Sequence, residues 1–310
     1  MSRRRKQGGK SLDVIQRLQQ RVAEGDYYEA LQLYKTSYSR LKAQEKLDEA
    51  EELLTTGAVA MCVENERNAA TELGLLVVES FEDNGREVDG ARLSQLKRIA
   101  EAMTPGIEMS EFLKRAIRWT RHADAEEAYE LKIIMARSAL ATGNLGEAAR
   151  YFAVSRKPKE YAQMMRQWSA KGYPGERDLF LCRAALHVLS VSARGADNAA
   201  ELFDACAAGI LEGADSCGSD GAAEQAVLES PLCHFTRFVI ELCQVRHLAG
   251  TPSRELALAF DKLRDVYGPS LDRDPHLDDI LNRIGEVHLG IKPPAAGGLM
   301  GMLGELMGGM

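Results

Sequence analysis

The stretch that decides the fold is GDYYEA at residues 25–30, followed at Tyr34 by a large side chain one helical turn after its Ala. Two related stretches are GNLGEA at residues 143–148, followed by Phe152, and the weaker KLDEA at residues 46–50, followed by Leu54. In each copy the small Ala lets two helices approach, and the larger residue fills the groove between them. In the first two copies Gly ends one helix and Asp or Asn caps the next. These stretches predict paired antiparallel helices.

The rest of the chain has the same helical period from Ser11 to Leu289, with turn signals every fifteen to twenty residues and almost no strand-like alternation. One apolar stripe of a helix shows the pattern: Leu93, Leu96, Ala100 and Met103. The unequal intervals between the copies disfavour a strict repeat. The sequence therefore predicts an all-α fold, an α-solenoid of about fourteen antiparallel helices with irregular, tetratricopeptide-like repeats.

Changes in composition predict the organisation of the chain. Residues 1–10 form a disordered basic tail, 11–156 an N-terminal solenoid half, and 157–291 a C-terminal half. Within the C-terminal half, the Gly-, Asp- and Ser-rich residues 209–229 predict a flexible loop. Residues 292–310 form a Gly- and Met-rich C-terminal tail.

Charge, cysteines and hydropathy exclude several classes of function. The 310 residues carry 39 Lys and Arg against 46 Asp and Glu, a net charge of −7, and five of the basic residues lie in the first ten positions. An acidic body repels phosphate backbones, so no nucleic-acid partner is expected. Six scattered cysteines without CxxC, no secretory signal and no run long enough to cross a bilayer predict a soluble cytoplasmic protein that does not insert into membranes.

The best case for catalytic or metal chemistry is a cluster of potential zinc ligands: Cys233, His234, Cys243 and His247. The two cysteines are ten residues apart and would point to different sides of a helix, which predicts buried structural cysteines instead. The acidic clusters lie at helix-surface spacing and predict solvated faces: Glu49, Glu51, Glu52, Glu126, Glu127, Asp278 and Asp279. No phosphate-binding or hydrolase motif occurs. We expect no catalytic residue, metal or cofactor.

The C-terminal tail carries one apolar stripe at helical spacing: Leu299, Met300, Met302, Leu303, Leu306, Met307 and Met310. Gly301 and Gly304 interrupt the stripe, and each costs a helix about 1 kcal/mol relative to Ala. An isolated helix this short should not persist in water, but it could fold on a surface. Two interpretations remain open: docking into a hydrophobic groove through Leu299, Met302, Leu303 and Leu306, or simple disorder.

An ordered set of motifs runs through both halves of the chain: 24–30, Leu53-Leu54 through Gly57-Ala58, Pro231-Leu232 with Phe235, Tyr267, Pro269-Ser270-Leu271, Arg273-Asp274-Pro275, Arg283-Ile284-Gly285, Gly290-Ile291 and Pro293-Pro294. This set resembles the Golgi-to-ER traffic protein 4 family, the α-solenoid subunit of the guided-entry pathway for tail-anchored proteins. The stretch at 25–30 is weak by itself, but the ordered set is specific.

The resemblance implies a non-enzymatic cytosolic adaptor. Members hold a targeting ATPase dimer with their N-terminal helices and a ubiquitin-like-domain protein with their C-terminal helices, and animal members also bind a Bag-family scaffold. On that model the ATPase-facing surface includes Asp26, Tyr27 and Tyr28. The face for the ubiquitin-like partner lies near Pro231, Leu232 and Phe235. The alternative for the aromatic residues is that they only pack helix on helix.

Two further points stay open at this stage. Fungal members carry a β-hairpin before the late helix, whereas residues 209–229 have too few β-branched or aromatic residues for a stable one. The alternative functions are a helical-repeat scaffold of another cytosolic assembly, such as a proteasome-lid-like or signalling complex, and a metal or thiol enzyme built on the Cys/His cluster.

Overall fold

A computed structural model describes residues 17–18, 20–217, 225, 227–251 and 253–291, with the backbone alone described for 209–217. Within these ranges the regular structure is helical and no strand is present, which confirms the all-α solenoid class. The α-helices are α1 (Tyr27–Lys42), α2 (Leu47–Val63), α3 (Arg67–Asp83), α4 (Gly90–Ala102), α5 (Ile107–Trp119), α6 (Glu126–Ala141), α7 (Leu145–Ala153), α8 (Pro158–Ser169), α9 (Arg177–Val191), α10 (Ala196–Cys217), α11 (Pro231–Ala249), α12 (Arg254–Leu271) and α13 (His276–Ile284).

The chain divides into two compact units, Met1–Tyr151 and Phe152–Met310. The boundary falls a few residues before the predicted one at 156/157, inside α7. A stacked ring pair accounts for the position: Phe152 lies 5.7 Å from Tyr161 of α8, so the end of α7 packs with the second unit.

The first unit has two layers of helices. Consecutive helices pair, α1 with α2, α2 with α3 and α5 with α6, while alternate helices also pack on each other. One layer is therefore α1, α3 and α5, and the other is α2, α4 and α6. The predicted stripe on α4 faces this core, since Leu93, Leu96, Ala100 and Met103 are all buried.

The repeat stretches pack as predicted. Ala30, Ala50 and Ala148 are fully buried, and so are the larger residues one turn after them. The Tyr34 ring lies against the bare backbone of Gly57 in α2, where a Cβ atom would come within 2.7 Å of the ring. Small residues at the contact thus set the close approach of α1 and α2.

The two predicted helix caps behave differently. The Asn144 side chain accepts a hydrogen bond from the backbone N–H of Glu147 at 3.2 Å and caps α7 as predicted. Asp26 precedes α1 but makes no capping bond, because its carboxylate accepts a hydrogen bond from Arg21 at 2.9 Å instead.

The second unit is built around α9, which packs against α8, α10, α11 and α13. Helix α12 lies on the outside of α11, and a short π-helical segment, Gly285–Leu289, closes the unit against both. Gly290, with φ +67°, ends that segment in the left-handed conformation that glycine tolerates best.

The structure corrects the first part of the predicted loop at 209–229. Helix α10 continues through Cys217, because Ile210, Leu211, Glu212 and Ala214 are adequate helix formers and the glycines at 209 and 213 do not suffice to end it. Residues 218–224 and 226 lie outside the described residues. None of the described helices combines the length and the hydrophobicity that a bilayer span requires.

Candidate functional site

One edge of the first unit exposes apolar side chains. The edge is formed by the first residues of α1, α3 and α5 and the last residues of α2 and α4. A hydrogen bond from the Tyr27 hydroxyl to Glu64 at 3.2 Å joins α1 to the end of α2. Residues from the ends of α2 to α5 line one shallow cleft there: Cys62, Arg67, Thr104 and Glu108. We call the exposed side chains of this edge the apolar rim: Tyr28, Val63 and Ile107, which are 75%, 76% and 83% exposed.

The opposite edge of the same unit is charged. Its centre is Glu51, which is 1% exposed and accepts hydrogen bonds from Arg86 Nε at 3.1 Å and from the Ser80 hydroxyl at 3.3 Å. Arg86 also reaches Asp48 at 2.6 Å. Other pairs join neighbouring helices at this edge: Lys42 with Asp83, Arg92 with Asp48 and Arg115 with Glu82. We call this edge the charged rim, and it corrects the prediction that Glu51 lies on a solvated face.

The predicted ATPase-facing residues lie at or beside the apolar rim. Asp26 is exposed and, through Arg21, shares an ionic cluster with Glu29, whose carboxylate lies 3.3 Å from the guanidinium. Tyr27 packs against the end of α2. Partial burial and the hydrogen bond to Glu64 raise the pKa of its hydroxyl group. Tyr28 points into solvent, so helix-on-helix packing does not explain it.

The predicted residues for the second partner are mostly inside the second unit. Pro231 is exposed at the first turn of α11, where the Ser230 hydroxyl caps the helix by accepting from the backbone N–H of Cys233 at 3.2 Å. Leu232 and Phe235 are fully buried, and the Phe235 ring lies 5.6 Å from the Tyr267 ring of α12. These two side chains hold α11 to the core and to α12 and are not accessible to a partner.

The exposed apolar residues of α11 and α12 are different ones. They are Phe238, Val245 and Leu248 on α11 and Leu258 and Val266 on α12, and we call them the α11–α12 stripe. Sequence reasoning missed them because they lie on the polar face of α11, among His234, Arg237 and Glu241, where isolated apolar residues form no core-facing stripe. The available signal was that Phe238, Val245 and Leu248 fall outside the stripe of the buried residues.

The structure does not assemble the Cys/His cluster into a site. Cys233 and Cys243 are buried, whereas His234 and His247 are exposed. The nearest thiol to Cys233 is Cys182 of α9, at an Sγ–Sγ distance of 3.6 Å. Burial raises the pKa of Cys243 to about 12, which keeps it a thiol at neutral pH. In the part of the chain that the structure describes, no three His, Cys, Asp or Glu side chains gather as metal ligands would.

The predicted docking residues of the C-terminal tail, Leu299, Met302, Leu303 and Leu306, lie outside the described residues.

Comparison with known proteins gives one consistent result. The family model described as Golgi to ER traffic protein 4 matches residues 44–309. The homologue of that name from Takifugu rubripes is 30% identical over 300 residues, covering 94% of this chain and 86% of the relative. The Homo sapiens homologue is 27% identical over 307 residues, covering 97% and 88%. The crystal structure of C. therm. Get4 superposes with a TM-score of 0.76 at 23% identity, covering 97% of this chain and 96% of that one.

Proposed function

Because the chain belongs to the Golgi to ER traffic protein 4 family, an adaptor-type rather than an enzyme family, we propose that it acts as a non-enzymatic cytosolic adaptor. Its task would be the post-translational targeting of tail-anchored membrane proteins to the ER. It would bridge a targeting ATPase dimer and a ubiquitin-like-domain protein, with a Bag-family scaffold as a further partner. The family match over residues 44–309 carries this proposal.

The first unit would bind the ATPase through the apolar rim. Tyr28 supports this, since an aromatic ring that is three-quarters exposed forms a typical centre of binding energy when a partner covers it. The neighbouring cluster of Asp26, Arg21 and Glu29 offers charged groups at the border of such a contact, where they favour correct orientation.

The second unit would bind the ubiquitin-like-domain protein through the α11–α12 stripe, with Pro231 at one end of α11. This moves the proposed contact from the buried Leu232 and Phe235 to exposed residues of the same helix, chiefly Phe238. Exposed apolar patches on a soluble domain commonly mark such interaction sites.

The physical benefit of an adaptor is proximity. A tail-anchored protein carries an apolar segment of about 20 residues that aggregates in water unless one chaperone passes it directly to the next. Holding donor and acceptor on one chain makes their encounter effectively intramolecular, with local concentrations toward the millimolar range when the geometry permits. Separate contact faces on the two units would allow both partners to bind at once.

Reconstitution with the two cognate partners tests the proposal. We expect a ternary complex by size-exclusion chromatography with light scattering. Tyr28→Ser should weaken binding of the ATPase alone, and Phe238→Ser should weaken binding of the ubiquitin-like protein alone. Leu33→Ser, which alters another exposed apolar residue of α1, is the matched control and should affect neither. Failure of the unmodified chain to bind either partner would reject the proposal and favour a scaffold of another assembly.

A second readout concerns ATP turnover. If the adaptor prefers the nucleotide-bound closed ATPase dimer, it shifts the population toward that state and slows hydrolysis. We expect slower turnover when the adaptor is added, and about tenfold more of the Tyr28→Ser chain should be needed for the same slowing. Unchanged turnover at saturating adaptor would contradict this preference.

A further inference from the structure

Two cysteines of the second unit face each other where two helices pack. Cys182 lies in the first half of α9 and Cys233 in the first turn of α11, and these helices are in direct contact. The Cys182 thiol donates a hydrogen bond to the Cys233 sulfur at an Sγ–Sγ distance of 3.6 Å. Both residues are buried, so the packing of the folded chain holds the two sulfurs against each other.

The distance between the sulfurs suits the formation of a disulfide bond. That bond requires sulfurs about 2.0 Å apart, so the pair has to close by about 1.6 Å. A small rotation of either side chain or a shift of the first turn of α11 provides this movement. Cys243 lies ten residues further along α11, about 15 Å away, and does not compete for Cys233.

The surroundings of Cys233 favour its thiolate, which is the reactive form of a cysteine. The residue lies at the beginning of a helix, where the backbone dipoles stabilise a negative charge. The hydrogen bond from Cys182 lowers the pKa of the Cys233 thiol, and the Ser230 hydroxyl acts in the same direction. Burial instead raises the pKa of Cys182, and it raises those of Cys206 and Cys243 to about 12. Cys233 is therefore the thiol that reacts first.

A small oxidant can reach Cys233 from the surface. Its neighbours along the chain, Pro231 and His234, are exposed, and the first turn of a helix opens more readily than its centre. Hydrogen peroxide is small enough to enter through such an opening. We propose that Cys182 and Cys233 form a reversible disulfide when the protein meets a peroxide, and that this bond joins α9 to α11 within one chain.

The reaction balances in two steps. The Cys233 thiolate attacks one oxygen of hydrogen peroxide and breaks the O–O bond, which gives a sulfenic acid and, with the proton that the thiol released, one water. The Cys182 sulfur then attacks the sulfenic sulfur. The S–S bond forms, and the hydroxyl group leaves with the Cys182 proton as a second water. Two electrons pass from the sulfurs to the peroxide, and a small thiol such as glutathione reverses the bond by exchange.

The bond changes how the second unit opens. In the reduced protein the first turn of α11 is held to α9 by packing alone, whereas the disulfide ties it covalently. We expect amide exchange in this turn to slow about tenfold on oxidation. Neither the pair nor its oxidation involves a partner, so this proposal stands or fails separately from the proposed function.

Oxidation of the full chain followed by peptide mapping tests the proposal. The folded protein is treated with hydrogen peroxide, its remaining thiols are blocked with N-ethylmaleimide during denaturation, and the unreduced peptides are analysed by mass spectrometry. We expect peptides joined through Cys182 and Cys233, about tenfold more abundant than any other linked pair. Their yield should not depend on protein concentration, and dithiothreitol should separate them.

Single substitutions test the order of the two steps. In Cys182→Ala, oxidation should stop at the sulfenic acid of Cys233, which dimedone labels. In Cys233→Ala, Cys182 should remain an unlabelled thiol. Cys243→Ala is the matched control, because it removes another buried cysteine of α11, and it should leave the yield of the linked peptides unchanged.

Circular dichroism checks that each chain stays folded during the treatment. Three results would each overturn the proposal: maleimide on both Cys182 and Cys233 of the peroxide-treated chain, linkage only between separate chains, or an equal loss of linked peptides with Cys243→Ala. Dimedone on Cys182 instead of Cys233 would overturn the order of the two steps.

Discussion

The two edges of the first unit are built from the same helices and yet have opposite chemistry. At the charged rim, Glu51, Arg86 and Asp48 satisfy one another across helix boundaries. At the apolar rim, Tyr28, Val63 and Ile107 face solvent. Charged residues that are buried and paired with each other stabilise the fold. Apolar residues that stay exposed mark a surface that a partner can cover.

The largest expected effect tests the stabilising role of the charged rim. Glu51→Leu leaves Arg86 and Ser80 without their buried partner, and we expect the free energy of unfolding to fall by about 3 kcal/mol. Urea denaturation followed by circular dichroism measures the change.

Asp48→Ala is the matched control at the same rim. The Asp48 side chain is 84% exposed, so its loss should cost less than about 1 kcal/mol. Equal costs for the two variants would contradict the distinction between the buried and exposed carboxylates of the rim.

The next effect concerns the packing between the rims. Gly57→Ala places a methyl group against the Tyr34 ring, and we expect a loss of about 2 kcal/mol in the free energy of unfolding. Gly146→Ala, in α7, meets no atom within 4 Å and should stabilise the chain by up to about 1 kcal/mol. Thermal denaturation of both variants checks the prediction, and a stabilising Gly57→Ala would show that the helices do not approach as closely as described.

A smaller effect separates the apolar rim from the charged one. Tyr28→Ser should weaken binding to the ATPase dimer about tenfold. It should change the free energy of unfolding by less than about 0.5 kcal/mol, since three-quarters of the residue is exposed. Calorimetric titration and urea denaturation together check the prediction. A large loss of stability would mean that Tyr28 serves the fold, as Glu51 does.

The smallest effect extends the contrast to a buried uncharged group in the second unit. Burial lowers the pKa of His288 below 6.5, although its Nε2 lies 2.9 Å from the Leu189 carbonyl oxygen. The unfolded chain therefore binds a proton at this ring more tightly than the folded chain does. The contribution of the neutral ring to the free energy of unfolding is fully present above pH 6.5 and is lost as the pH falls through the folded-state pKa. The free energy of unfolding, measured across that pH range, should decline less steeply with falling pH for His288→Gln than for the unmodified chain. Identical pH profiles would exclude His288 as the cause.

Local patterns accounted for the helices and for many of their contacts. The small-then-large spacing at Ala30 and Tyr34 predicted a close helix pair, because both residues act within one turn of one helix. The same reasoning failed for Glu51, since its burial depends on Arg86 and Ser80, which lie on other parts of the chain. It also failed at residues 209–217. Scattered glycines and polar residues predicted a loop there, but the helix continues.

The candidate site divides in the same way. Tyr28 is exposed, as a partner-facing residue must be, and its role in binding stays a prediction. Leu232 and Phe235 are buried, because α9 and α12 pack against that face of α11, and the sequence of α11 alone does not show those neighbours.

The sequence by itself determined that this chain is helical, that its helices pair, and which family it resembles, because helical period, caps and small contact residues act over a few neighbouring positions. Only the tertiary structure decided which apolar faces remain uncovered and which carboxylate is buried. Both depend on the helices that the fold brings alongside, and those helices lie tens of residues away in the sequence.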